Sequence, residues 1–280
     1  MDRSRPGLRA RWAVGALAAA AMSLSTTTAS AATLEARTLE AYQAYVRDVL
    51  QRFAESDGRT FLWADQHPDR RRALLDGEIV VEAADGDGIL NVPGGLIHHW
   101  IAAAFMKDVA LEEMLEIVRS YDDYPRIHPP VVRAELISQD GEMHRVFMRL
   151  EKSTRFVTAV LDTWWLTRHQ RPSQDRVYTT SHAETIQQVE RAGRSDERRL
   201  PPGTGGGYVW AASTVSRFLE RDGGTYVEFQ TLGLSRTFPR LLGWLVEPIA
   251  RRIGAGSVKD TLAELRRAAA GRPPGAGSPD

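Results

Sequence analysis

The sequence predicts an α+β fold in which an antiparallel sheet is followed by a long C-terminal helix and preceded by a helical extension. Three observations support this prediction. Residues 95–130 read as an apolar strand, a short amphipathic helix and a Tyr/Pro-rich turn. Strand-like runs then recur about every 10–15 residues with short polar turns, which is typical of antiparallel hairpins. Residues 238–270 carry apolar side chains at helical spacing.

Residues 1–31 have the pattern of a signal peptide. Arginines precede the apolar run from Trp12 to Leu24, and Ala29-Ser30-Ala31 fits a cleavage site. The apolar run is shorter than the roughly 20 residues that span a bilayer. We therefore expect cleavage after Ala31, a periplasmic or secreted protein, and no stable membrane insertion of the mature chain.

Residues 32–92 are predicted to form a helical extension and a short hairpin. Apolar positions three and four apart predict a helix over residues 33–56, and a second helical piece is predicted over Asp69–Leu75. Two short strands within residues 78–92 flank the turn Asp85–Gly88. This DGDG turn lacks the further acidic ligands of a calcium loop. We interpret the extension as packing on the main domain; the alternative is a surface that holds a partner or a second copy.

Residues 93–270 are predicted to form the main domain, and residues 271–280 a disordered Pro/Gly-rich tail. The main domain is predicted to begin with a strand at 95–107 and a helix from Val109 to Tyr121. After the helix, Tyr124-Pro125 should begin an extended segment. Pro248 should kink the C-terminal helix, and Gly254 and Gly256 could divide it. The intervening strands are predicted at Val131–Ile137, Met143–Leu150, Phe156–Leu166, Arg176–Val189, Tyr208–Glu220 and Thr225–Leu234.

Composition excludes several classes of function. The formal net charge is zero, so no overall field attracts nucleic acid, and we expect no nucleic-acid partner. The chain has no cysteine, which excludes disulfides, thiolate metal sites and a cysteine nucleophile. Residues 203–207 (GTGGG) are not a phosphate loop, since no Lys-Ser/Thr follows them. We predict no cofactor.

The order of elements resembles the START-like superfamily, which includes polyketide cyclases, coenzyme Q-binding proteins and Bet v 1-type carriers. Three patterns carry the resemblance: residues 120–137 (SYDDYPRIHPPVVRAELI), residues 205–213 (GGGYVWAAS) and residues 234–249 (LSRTFPRLLGWLVEPI). The resemblance implies a helix-grip fold, a curved sheet wrapped around the C-terminal helix. It also implies a cavity between sheet and helix for a lipid or other hydrophobic small molecule.

Aromatic residues of the predicted sheet and closing helix are the candidate ligand-binding residues, because ligand pockets are mostly apolar with few polar groups. Core packing is the alternative role for each of them. Trp164 and Trp165 are adjacent and point to opposite faces of a strand, so at most one faces the cavity. The candidates are Trp100, Phe147, Trp164, Trp210, Phe229 and Trp244.

An enzyme is the alternative to a binding protein. His182 and Glu184 lie two residues apart on one face of a strand, and Asp162 lies within an apolar run. A buried His–carboxylate pair could act as acid and base in a cyclase or hydrolase. The competing interpretation is that these side chains face water or pair with arginines. No metal site is predicted, because the adjacent His98 and His99 diverge on a strand and no zinc-binding spacing occurs.

Overall fold

A computed structural model describes residues 32–56, 60–128, 130–153, 158–237 and 240–271. The predicted signal peptide, Gly58 and residues 272–280 of the predicted tail lie outside these ranges. Within them, ten strands form one antiparallel sheet, and a long C-terminal helix packs on one of its faces. The predicted α+β class is therefore confirmed.

The N-terminal part of the chain forms two of the predicted helices. Apolar side chains of the longer helix recur along one face, which packs on the sheet. Pro68 begins the shorter helix. Its missing N–H costs no hydrogen bond there, because N–H groups in the first turn have no partner within the helix. The elements are β1 (Ala32–Thr33), α1 (Ala36–Ser56), α2 (Pro68–Leu75), β2 (Ile79–Ala83) and β3 (Ile89–Val92).

The predicted hairpin within residues 78–92 is wrong. β2 and β3 do not pair with each other, because both pair with β4 (Gly95–Lys107), one after the other along its length. The turn at Asp85–Gly88 interrupts an edge strand instead of reversing it. The real hairpin joins β3 to β4 through Pro93-Gly94, where Gly94 has a φ of +72°. The sheet therefore continues across the boundary predicted at residue 92.

After β4 the chain forms two short helices and then long strands. The prediction that Tyr124-Pro125 begins an extended segment is wrong, because Pro125 lies in the first turn of a helix, where it is tolerated. The predicted strands are present with similar bounds. The elements are α3 (Leu111–Arg119), α4 (Tyr124–Ile127), β5 (Val131–Asp140), β6 (Met143–Ser153), β7 (Thr158–Ser173), β8 (Arg176–Glu190), β9 (Arg198–Arg199), β10 (Thr204–Gly205), β11 (Ala211–Arg221) and β12 (Gly224–Arg236).

The sheet has the order β2-β4-β12-β11-β8-β7-β6-β5, with β3 also on β4 and β9 on β8. The C-terminal helix α5 (Arg240–Ala270) is continuous, so the division expected at Gly254 and Gly256 does not occur. Packing against the sheet stabilises the helix there, although glycine costs about 1 kcal/mol relative to alanine.

The two faces of the sheet are covered by different parts of the chain. On the inner face, Ala102, Ala104 and Met106 of β4 belong to a core that includes Val258 and Leu262 of α5. On the outer face, alternate residues of β4 pack against the N-terminal extension. β4 is therefore buried on both sides, which explains why its sequence is a continuous apolar run without alternation.

The extension covers the outer face with its own apolar side chains. Tyr42 and Val49 of α1 pack with Ile97 on the outer face of β4. Leu62 and Leu74 form a second buried cluster on the same face of the sheet. The Tyr42 hydroxyl donates to the Leu232 carbonyl oxygen at 3.1 Å. These contacts support the interpretation that the extension packs on the main domain. Among the described residues of α1, no large apolar side chain is exposed, whereas the partner-holding alternative would require one.

Candidate ligand cavity

A cavity of about 320 Å³ lies between the inner face of the sheet and α5, where the cavity was expected. Its volume is at the lower end of the roughly 300–1,000 Å³ of small-molecule sites. Helices α3 and α4 and strands β5 to β8, β11 and β12 contribute to its walls. The lining residues are Val118, Tyr121, Tyr124, His128, Pro130, Val131, Met148, Leu150, Trp165, Thr167, His169, Thr179, Ser181, Thr214, Ser216, Phe218, Val227, Phe229, Ser257, Thr261 and Leu265.

Much of the wall is apolar. Met148 and Leu150 face the cavity from β6, Phe229 from β12 and Leu265 from α5. Trp165 faces it from β7, and its indole Nε1 donates to Thr163 Oγ1 at 2.9 Å. A ligand in contact with these groups would lose its hydration shell, which favours binding of an apolar molecule.

Polar side chains cross this wall in a row. His169 on β7 lies opposite Thr179 on β8, and Thr179 lies opposite Ser216 on β11. A second row joins Thr167, Ser181 and Thr214 in the same way. Since neighbouring strands are about 4.8 Å apart, each row extends over about 10 Å. The hydroxyls of Thr167 and Ser181 bond to each other at 2.8 Å.

The first row ends at a cluster of one tyrosine and two histidines. The Tyr121 hydroxyl lies 2.9 Å from His144 Nδ1 and 3.2 Å from His169 Nε2. A tyrosine hydroxyl has one proton, so it donates to one imidazole and accepts from the N–H of the other. The second ring nitrogen of His169, Nδ1, is buried and has no hydrogen-bond partner among the described residues.

The cluster is held in its uncharged form. Burial is the main cause that lowers the pKa of His169 to about 3, and the charge of Arg119 and the neighbouring His144 lower it further. Burial likewise lowers the pKa of His144 and raises that of the Tyr121 hydroxyl. At neutral pH both imidazoles are neutral, and each offers one donor and one acceptor nitrogen.

The remaining titratable groups of the wall are also shifted toward neutrality by burial. The pKa of His128 falls to about 4, and that of Tyr124 rises. The Tyr124 hydroxyl donates to the Val118 carbonyl oxygen at 2.7 Å, so it has no proton left to donate to a ligand. No Asp, Glu, Lys or Arg is among the described residues that line the cavity.

Two predicted ligand-binding residues lie on the other face of the sheet. The rings of Phe147 and Trp164 contact each other with centroids 5.2 Å apart, and neither lines the cavity. The prediction that they face a ligand is therefore corrected: Trp165, one residue further on, is the inward tryptophan. Arg133 and Arg199 lie over the outward rings of Phe147 and Trp164, respectively.

The other aromatic candidates have separate positions. Phe229 lines the cavity, and its contact with a ligand stays a prediction. Trp100 belongs to the inner core beyond the cavity wall, where its ring fits against Gly254, and a Cβ on Gly254 would lie 2.5 Å from the indole nitrogen. Trp210 packs beside α1 on the outer face, and the side chain of Trp244 lies outside the described part of the structure.

The candidate catalytic residues do not reach the cavity. His182 is exposed on the outer face. Glu184 forms a bidentate ion pair on that face, with Arg145 Nε at 2.9 Å and Arg145 Nη2 at 3.0 Å from its two carboxylate oxygens. Asp162 is fully buried but accepts hydrogen bonds from Arg149 and Arg199 on the outer side. His182, Glu184 and Asp162 therefore cannot form an acid–base pair within the cavity, because the alternation of the strands directs their side chains to the opposite face.

The adjacent histidines His98 and His99 diverge, as expected for a strand. His98 Nε2 lies 2.8 Å from Ser235 Oγ, whereas His99 Nδ1 lies 2.7 Å from the Tyr45 hydroxyl of α1. Among the described residues, no three His, Cys, Asp or Glu side chains are grouped to hold a metal ion. Within the same ranges, no helix is both long and apolar enough to cross a bilayer.

Sequence reasoning missed Tyr121, His169 and the hydroxyl rows. The signal for His169 and the rows is present in the sequence as period-two repeats: Trp165, Thr167 and His169 alternate on one strand, and Thr179 and Ser181 alternate on the next. Without the strand register, however, either face of such a strand could be the inner one.

Searches of known protein families and of curated proteins find no match for this sequence. Solved structures do resemble it. A STAR-related lipid transfer protein fragment from Xanthomonas axonopodis is 13% identical, with a TM-score of 0.46, over 69% of this chain and 98% of its own. Human StAR-related lipid transfer protein 5 is 14% identical, with a TM-score of 0.42, over 85% of this chain and 98% of its own. A Streptomyces aromatase/cyclase is 13% identical, with a TM-score of 0.36, over 61% of this chain and 94% of its own.

The fold itself rests on the topology described above. A strand and helix lead into successive antiparallel strands, and the chain ends in a long helix that packs on the inner face of the sheet. The cavity lies between that helix and the sheet. The chain has the helix-grip fold.

Proposed function

We propose that this protein binds a hydrophobic small molecule or lipid in the cavity between the sheet and α5, as a carrier or binding protein. The observation that carries the proposal is the cavity itself, which has a largely apolar wall and a few convergent polar groups. The printed names of two similar structures, both lipid transfer proteins, agree with this kind of ligand.

Burial of apolar surface supplies the binding free energy. At about 25 cal/mol per Å², roughly 300 Å² of apolar ligand surface contributes about 7 kcal/mol before the costs of association. Part of this is lost in immobilising the ligand. The cavity volume suits one compact molecule or a single chain better than a bulky two-chain lipid.

The first test measures binding of the uncharged fluorescent probe N-phenyl-1-naphthylamine and compares two variants. Ser216→Phe places a ring in the middle of the cavity wall, whereas Ser138→Phe places one on the exposed edge strand β5. We expect Ser216→Phe to weaken probe binding at least about tenfold, because the ring occupies the volume that the probe needs. Ser138→Phe should bind as the wild type does.

Equal probe affinity in the two folded variants would contradict the proposal. If Ser216→Phe does not fold, as judged by circular dichroism, Thr214→Leu fills less of the same wall and replaces it in the comparison. Extraction of the purified protein followed by mass spectrometry then identifies any hydrophobic molecule that the cavity retains.

We propose in addition that the mature protein functions outside the cytoplasm. The support is the basic and apolar pattern of residues 1–31 with Ala29-Ser30-Ala31 at its end. Expression of the full chain in a bacterium that exports proteins, followed by mass spectrometry of the N-terminus, tests it. A mature chain that begins at Ala32 is expected, and a cytoplasmic chain that retains residues 1–31 would contradict it.

A further inference from the structure

The cavity wall is polar in places but uncharged. Histidine, tyrosine, serine, threonine and one tryptophan supply all of the polar side-chain groups among the described lining residues. Removing an ionised group from water costs several kcal/mol unless an opposite charge or several hydrogen bonds replace the lost hydration. Such a wall discriminates against an ionised ligand and admits a neutral one.

Arg119 is a cation close enough to the cavity wall for its charge to lower the pKa of His169, so it could in principle attract an anionic ligand. It does not line the cavity, and its side chain is 38% exposed. It also forms an ion pair with Glu142 at 3.6 Å. Its charge is therefore largely balanced by a carboxylate and by water.

Several polar groups of the wall have hydrogen-bonding capacity to spare. His169 is 3% exposed, and its Nδ1 lacks a partner among the described residues. The hydroxyls of Thr179 and Ser216, next in the same row, make no hydrogen bond within the described ranges. Buried polar atoms in proteins are nearly always hydrogen-bonded, so the unpaired Nδ1 of His169, a residue that lines the cavity, indicates a polar ligand group.

The chemistry of this cluster favours a hydroxyl on the ligand. The Tyr121 hydroxyl donates once and accepts once within the cluster, which leaves one lone pair free. His169 Nδ1 is a donor or an acceptor, depending on which imidazole takes the tyrosine proton. A ligand hydroxyl both donates and accepts, so it satisfies the cluster in either arrangement, whereas a carboxylate can only accept.

From these observations, and on the basis of the proposed function, we propose that the ligand is uncharged and that its hydroxyl binds at the Tyr121–His169 end of the polar row. The apolar body of the ligand then lies against Trp165, Phe229 and α5. Tyr121 and His169 determine which polar group is accepted, and the apolar wall supplies most of the affinity.

Competition against N-phenyl-1-naphthylamine tests this selectivity with three ring-matched compounds: naphthalene, 2-naphthol and 2-naphthoate at neutral pH. We expect 2-naphthol to bind about three- to tenfold more tightly than naphthalene, which is the usual effect of one net hydrogen bond. The ionised 2-naphthoate should bind at least about a hundredfold more weakly than 2-naphthol, since the wall offers no counter-charge.

Two tyrosine variants assign the effect to the cluster. Tyr121→Phe should lower the affinity for 2-naphthol to that for naphthalene and leave naphthalene binding unchanged. Tyr45→Phe is the matched control, because the Tyr45 hydroxyl also bonds a histidine, His99 Nδ1 at 2.7 Å, but does so on the outer face, away from the cavity. His169→Phe provides a second readout of the same end and should likewise remove the advantage of 2-naphthol.

The outcomes separate this inference from the proposed function. If the probe binds in the cavity but 2-naphthoate competes as well as 2-naphthol, the uncharged-ligand inference is overturned. Equal loss of 2-naphthol affinity in Tyr121→Phe and Tyr45→Phe would overturn the assignment to the cluster. If the probe does not bind the wild type, or if Ser216→Phe does not weaken it, the proposed function itself fails.

Discussion

Strand β7 carries Asp162 on the outer face of the sheet and Thr167 and His169 on the inner face, and these polar groups have different surroundings. Asp162 is fully buried and accepts hydrogen bonds from two arginines. His169 is nearly as buried, yet one ring nitrogen has no partner in the described structure. The outer face uses its polar groups to hold the fold together, and the inner face keeps several of its own available.

Two further carboxylates on the outer face are bound in the same way. The Glu228 carboxylate accepts the backbone N–H groups of Trp63 and Ala64 at 2.9 and 2.8 Å and lies 3.6 Å from Arg217. Arg149 also binds Glu197 at 2.8 Å, which ties the loop after β8 to the sheet. Buried carboxylates on the outer face bind arginines or backbone N–H groups, whereas the cavity wall on the inner face has no carboxylate among its described residues.

The largest expected effect comes from the Glu228 carboxylate. Glu228→Ala should lower the free energy of unfolding by about 3–5 kcal/mol, because it removes a buried acceptor from two backbone N–H groups and from Arg217. Urea unfolding followed by circular dichroism measures the change. Glu184→Ala, which removes an exposed ion pair on the same face, is the control and should change it by at most about 1 kcal/mol. Similar losses in the two variants would remove the distinction between buried and exposed pairing.

The Asp162 network should have the next largest effect. Asp162→Asn is expected to destabilise the fold by about 2–3 kcal/mol and to leave probe affinity unchanged in the folded protein, since the network lies across the sheet from the cavity. A folded Asp162→Asn protein with much weaker probe binding would show that the two faces are coupled. Chemical unfolding and probe titration on the same sample measure both quantities.

The Asp162 contribution should also depend on pH. Burial alone would raise the pKa of Asp162, but hydrogen bonds from Arg149 and Arg199 outweigh it and lower the pKa below its ordinary value. An acid with a lowered folded-state pKa stabilises the fold above its unfolded pKa of about 3.9 and loses that effect as the pH falls through the folded value. The stability difference between wild type and Asp162→Asn should therefore be constant near neutral pH and narrow below about pH 4.

The smallest expected effect has the opposite sign and lies on the inner face. Thr179→Val should raise the free energy of unfolding by about 1 kcal/mol, because a methyl group replaces the cavity-facing hydroxyl of a buried residue, and that hydroxyl makes no hydrogen bond within the described structure. Thr163→Val is the matched change on β7. It should lower stability by about 1–2 kcal/mol, since the Thr163 hydroxyl donates to the Met148 carbonyl oxygen and accepts from Trp165. Destabilisation in both variants would mean that the inner hydroxyls are structural.

Much of the secondary structure was predictable from local patterns. The helices near residues 36–56 and 68–75 and the long strands from Val131 to Arg236 follow from apolar spacing and turn residues. The secondary-structure predictions were wrong where the same residues are compatible with two local structures. Asp85–Gly88 has turn chemistry but interrupts a strand, and Pro125 is compatible with the first turn of a helix.

The site was less predictable than the fold. The sequence predicts Phe229 and Trp164 as ligand-binding residues, whereas Phe229 and Trp165 line the cavity together with Tyr121 and His169, which it does not predict. Adjacent strand residues point to opposite faces, so a shift of one residue exchanges the entire set of inward side chains. A bulge opposite Trp164 and Trp165, around Glu184, makes the alternation along β8 irregular at that position.

The sequence by itself determined the α+β class, the order of strands and helices, the absence of cysteine chemistry and the zero net charge, because these depend on composition and on spacing along the chain. The tertiary structure decided which face of each strand is the inner one, since that depends on pairing across the sheet and on which helix covers each side. It also brought together Tyr121, His144 and His169 from separate elements. The proposal of an uncharged, hydroxyl-bearing ligand rests on the position of Tyr121 and His169 beside the cavity.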